Sequence, residues 1–90
     1  MVKIFTVGFF LPAVQLGKDL YLYSVPFEFV DVASPEGIWE AHRFSVKVVP
    51  SVLVLRGDDE VVARWVGWVP EASDIWSVIR AFAPEAVVLN

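Results

Sequence analysis

The sequence predicts an α/β domain in which a four-stranded mixed sheet is flanked by helices, in the order β-α-β-α-β-β-α. Three observations carry that expectation. Short β-branched and aromatic runs alternate with segments that open on a proline. The run Ser51-Val52-Leu53-Val54-Leu55 is apolar at every position after its serine. Arg56-Gly57-Asp58-Asp59-Glu60 then reads as a hairpin turn into another β-branched run.

Taken in order, residues 2–7 read as a strand ended by Gly8. Pro12 suits the first turn of a helix, where its missing N–H is not needed, and that helix is expected to run to Ser24 despite Gly17. Pro26 prevents its continuation. Residues 27–32 form the second strand. Ser34 is placed as an N-cap with Pro35 at the first helical position, opening a helix through Ile38, Trp39, Ala41 and His42 to about Phe44. The third strand, residues 51–55, is apolar on both faces and so belongs at the sheet's centre, covered on both sides. Residues 60–66 are the fourth strand. Pro70 is expected to open the last helix, with Ile75, Val78, Ile79 and Phe82 on one face, and Ala83-Pro84 to end it. The domain is thus expected over residues 1–84, with a short apolar tail at 85–90. The first two strands should be parallel, joined by a right-handed crossover, and the last two antiparallel.

Composition narrows the function classes. Ninety residues with 57% hydrophobic and 20% charged side chains make one folded domain. A net charge of −4, with no run of Lys or Arg, argues against a phosphate-tracking surface despite the four tryptophans, so no nucleic-acid partner is expected. The apolar stretch after Lys3 is not read as a secretory signal. One cation precedes it, Pro12 interrupts it, no small-residue cleavage site follows, and an uncleaved start at Met1 is expected. No apolar run approaches the ~20 residues that cross a bilayer, so no membrane partner and a cytoplasmic location are expected.

Three short stretches carry a family resemblance. Val48-Val49-Pro50 is similar to the x-Val-Pro segment of the thioredoxin superfamily, and Trp65-Val66-Gly67-Trp68-Val69-Pro70 to a Trp-Ser-Gly-Phe-x-Pro signature before the last helix. With residues 27–32 as second strand, the chain resembles thioredoxin/glutaredoxin-like proteins over residues 2–82, and most closely the small redoxins that serve ribonucleotide reductase. The resemblance implies a cis peptide at Val49–Pro50. It also places the family's Cys-x-x-Cys on Phe10-Leu11-Pro12-Ala13, and the chain has no cysteine. Thiol–disulfide exchange needs a thiolate attacking sulfur, which Phe and Ala cannot supply. No catalytic residue, no enzyme activity and no cofactor are therefore expected. Bound glutathione would also meet Glu71 and Asp74 at the start of the last helix, where carboxylates repel an anion.

Other candidates have plain structural readings. His42 is the only histidine, which rules out a His-based metal cluster, and it suits a helix C-terminus. Asp58-Asp59-Glu60 lacks the ligand spacing of a calcium loop. Ser51 has no base to activate it. Glu28 and Asp31 point to opposite faces of their strand and cannot work as a pair.

In the resembled fold three loops meet at one end of the sheet. They would gather Phe9, Phe10, Leu11, Pro12, Val48, Val49, Pro50, Gly67 and Trp68 into an apolar surface for binding another protein. Phe10 and Trp68 could instead fold inward to fill the space left by the thiols. Two further alternatives stand beside protein binding. One is a small-molecule binder or enzyme using the former glutathione groove. The other is a structural homo-oligomer, a homodimer for instance, built on the third or fourth strand or on Trp39 and Trp76. A bacteriophage source would suit so small a protein of this kind.

Overall fold

The computed structural model describes residues 1–83, so the expected helix stop at Pro84 and the tail at 85–90 lie outside the described residues. The elements are β1 (Val2–Thr6), α1 (Leu11–Leu22), β2 (Phe27–Asp31), α2 (Pro35–Arg43), β3 (Ser51–Arg56), β4 (Glu60–Val66) and α3 (Ala72–Phe82). They form one four-stranded sheet in the order β2-β1-β3-β4. β1 and β2 are parallel, with Val2 opposite Phe27 and Thr6 opposite Asp31. β1–β3 and β3–β4 are antiparallel, with an irregularity between Val54 and Leu55.

The period-2 alternation of β1 divides the core. Val2 and Ile4 point to one face, where α1 supplies Ala13, Leu16 and Leu20 and α3 supplies Ala72, Ile75 and Ile79. Phe5 points to the other face and packs with Val30, Phe44, Leu53 and Leu55 under α2. β3 is buried on both sides from Ser51 to Leu55 because helices cover both faces of the sheet there.

Several details differ from the sequence expectations, among them the end of β2 at Asp31 and not at Val32. β1 stops at Thr6, since Val7 is half-exposed and Gly8 turns the chain with φ of +63°. α1 starts at Leu11 and ends at Leu22, before Ser24 adopts a left-handed φ of +58°. α3 starts at Ala72, with Pro70 two residues ahead of it as lead-in. Phe82 is exposed although it keeps helical spacing with Ile75 and Ile79: it is the last residue of α3, and Ala83 is buried in its place.

α2 is seated by its first turn. The Ser34 hydroxyl accepts the Gly37 N–H at 2.9 Å and donates to the Asp31 carbonyl at 2.8 Å. A Cβ at Gly37 would fall 1.6 Å from that same carbonyl oxygen, so only glycine allows this approach.

Candidate functional site

The loop after β1, the segment before β3 and the turn after β4 lie at one end of the sheet. The Val49–Pro50 peptide is cis. It sits at the centre of this end, because Gly67 N–H donates to the Pro50 carbonyl at 2.8 Å and the Ser51 hydroxyl donates to the Val48 carbonyl at 2.6 Å. Gly67, at φ of +84°, lies against Val48, whose Cγ1 is 3.6 Å from where a Cβ would be. Ser51 is thus occupied in fixing the loop.

Phe10 is the N-cap of α1, and its carbonyl accepts the N–H groups of Ala13 and Val14. Phe9 and Phe10 border a 240 Å³ hollow on the β2 side, together with Phe29, Val30 and Asp31. Pro12 instead faces Val69 and Pro70 across a groove of 550 Å³. Five of the nine residues thus form two groups flanking the start of α1: Phe9 and Phe10 on the β2 side, Val48, Pro50 and Gly67 joined on the β3–β4 side.

The aromatics do not fill the interior. Phe9 is 80% exposed, Leu11 63%, Trp68 55% and Phe10 39%. Val48 is also exposed, while Val49 is only partly so and packs against the α2-side core.

The groove beside Pro12 is where a small molecule would go. Its polar lining comes from Gln15, Asp19, Glu71 and Ser73, and Gln15 already donates to Asp19 at 3.1 Å. Two carboxylates there disfavour an anion. Among the described residues no group of three or more His, Asp or Glu side chains could hold a metal ion. His42 and Arg43 occupy the last turn of α2, where a cation is favoured.

Sequence reasoning missed one charged cluster. Lys3 is buried on the α2 side, hydrogen-bonded to Glu28 of β2 and, at 2.5 Å, to Glu40 of α2, with the Phe44 ring 5.7 Å from its nitrogen. Burial pushes the ammonium pKa down. The hydrogen bonds and charges of Glu28 and Glu40 outweigh that and hold it above the usual lysine value. A lysine so tuned stays protonated and is no base or nucleophile near neutral pH. The signal was the register: Lys3 lies opposite Glu28, and the two share a face.

No protein-family model matches the chain, and no curated protein matches its sequence. Solved structures do. The chain has a thioredoxin-like fold. Thioredoxin 1 from the thermophilic eubacterium Thermosipho africanus superimposes with a TM-score of 0.68 at 15% identity, covering 93% of this chain and 94% of that one. Thioredoxin O2 from Arabidopsis thaliana, in its oxidised state, gives 0.65 at 20% identity, over 91% of this chain and 73% of the other. Thioredoxin-2, described as a component of the malaria parasite protein secretion machinery, gives 0.65 at 18% identity over 89% and 80%. At these identities the likeness speaks for the fold alone. No helix among the described residues is long and apolar enough to cross a membrane.

Proposed function

We propose that this chain is a redox-inactive, glutaredoxin-like protein of the thioredoxin fold that binds another protein through its former active-site face. It acts as no enzyme and carries no cofactor. The observation that supports this most is the exposure of Phe9, Phe10, Leu11 and Trp68 around a cis-proline loop, on a chain with no cysteine. Exposed aromatics clustered on one end of a small domain are the usual anchors of a protein contact. The partner is a protein met in the cytoplasm, and the negative net charge keeps nucleic acid and anionic membrane outside this reading.

The test compares partner recovery by the wild type and by Phe10→Asp/Trp68→Asp. Both side chains are exposed, so the variant should fold, and its circular dichroism should match. Loss of a partner that the wild type retains supports the reading, and equal recovery by both removes it. Insulin-reduction activity is expected to be absent, and any measurable rate would overturn the redox-dead part.

A further inference from the structure

The two edges of the sheet are protected unequally. β4, at one edge, is interrupted at Val62 by the irregularity opposite Val54 and Leu55 and carries exposed Glu60 and Arg64, features that discourage another strand from pairing. β2, at the other edge, has no irregularity in its register, and its one central charge, Glu28, is drawn toward Lys3.

The backbone of β2 shows what its edge offers. Val2 N–H donates to the Pro26 carbonyl and Val32 N–H to the Thr6 carbonyl, each at 3.0 Å. Only alternate residues of a strand turn toward a given neighbour. The even-numbered residues of β2 therefore face β1, and Phe27 and Phe29 turn N–H and C=O outward. Among the described residues nothing pairs with them. Beside this edge runs an apolar groove of 430 Å³ between β2 and α1, lined by Val14, Gly17, Tyr21, Leu22, Phe27 and Phe29, with Lys18 at its rim. Phe29 is 50% exposed and Leu22 80%.

We propose that a second copy of this chain occupies the edge, pairing β2 with β2 antiparallel about a two-fold axis at Phe29 to make one continuous eight-stranded sheet. The register follows from charge. Centred on Glu28, the pairing would set Glu28 against the partner's Glu28, and like charges directly opposite are destabilising. Centred on Phe29, the strands lie against each other over their whole length: Phe29 faces the partner's Phe29, Glu28 faces the partner's Val30, and Phe27 faces the partner's Asp31, whose N–H can reach the Phe27 carbonyl while its own carbonyl stays with Ser34. That last pairing carries the partner's Asp31 to the end of the groove where Lys18 has no ion-pair partner among the described residues. A cation meets an anion on both sides of the axis, as a symmetric interface requires.

A residue on a two-fold axis meets itself, which gives a test that does not depend on loss alone. Sedimentation velocity of the full chain across micromolar to submillimolar concentrations should show a dimer. Phe29→Lys and Phe29→Glu, each at a half-exposed position, should keep the wild-type circular dichroism and each weaken self-association by about tenfold or more, through like charge at the axis and loss of the aromatic pair. Mixed in equal amounts, the two variants should associate again as a heterodimer. A wild type that stays monomeric throughout, whether because another protein or the chain's own residues beyond 83 take the edge, overturns the proposal. So does undiminished dimerisation of either variant, or a mixture that stays monomeric. Phe10 and Trp68 are intact in these variants, so this outcome is independent of the loop-face reading.

Discussion

The two faces of the sheet are built on different chemistry. Under α1 and α3 the interior is built of apolar side chains, with Ile4, Leu20, Ile75 and Ile79 all inaccessible to water. Under α2 a smaller apolar cluster around Phe5 and Phe44 shares its space with an ammonium held by two carboxylates. The first face gains its stability from area removed from water, at about 25 cal/mol per Å². The second adds an ion cluster whose attraction is largely offset by the cost of drying its charges. Apolar burial is the main source of stability, and the charges chiefly fix where α2 lies.

That contrast can be broken in order of expected effect. Ile75→Ala, on the apolar face, should cost about 3 kcal/mol in denaturant unfolding, because the cavity left at a helix–helix contact closes only partly. A loss under 1 kcal/mol would mean that this face is loosely packed. Next comes Glu28→Gln/Glu40→Gln, which leaves Lys3 charged and poorly matched. It should cost about 1–2 kcal/mol, less than for a fully buried pair because Glu28 is half in water.

A pH series sharpens the point. The raised Lys3 pKa means that the native state holds its proton more tightly than the unfolded chain does. The cluster's contribution is therefore fully present below the ordinary lysine value of 10.5 and is lost as pH rises through the higher native one. The stability difference between wild type and Lys3→Met should shift in favour of the variant only above that value. A difference already changing between pH 7 and 9 would place the titration elsewhere. The smallest effect is expected from Lys3→Met itself at neutral pH, within about 1 kcal/mol of wild type, since a buried ion cluster replaced by an apolar chain of similar volume is often neutral or better.

The same contrast separates what the sequence disclosed from what it withheld. The order of elements was legible because punctuation and periodicity agree: Pro12 and Pro35 open helices, Gly57 turns the hairpin with φ of +64°, and residues 51–55 are apolar on both faces. The interior of the α1 and α3 face follows from helical spacing, except that Phe82, the last residue of its helix, is exposed. The Lys3 cluster was missed because a lysine in a strand reads as solvent-facing, and its partner Glu40 comes from a helix whose placement no local pattern sets. At the candidate site, residue types pointed to an apolar loop face. That Phe9 and Phe10 border a hollow beside β2 depends on the turn at Gly8 and on how α1 begins. The alternative of an oligomer built on the third strand meets a physical obstacle, since β3 lies inside the sheet between β1 and β4. Trp76 stacks on Tyr23 of the same chain, with ring centroids 5.6 Å apart.

The contact of Gly37 with the end of β2 has one further consequence. A lone hydrogen there sets the standoff of the whole second helix, and Glu40 rides three residues further along that rigid rod. Adding a methyl group would lift the rod like a shim under a beam. The Ser34 bridge between Gly37 and Asp31 would open first, and the displacement would carry along the helix to the bond between Glu40 and the ammonium it holds.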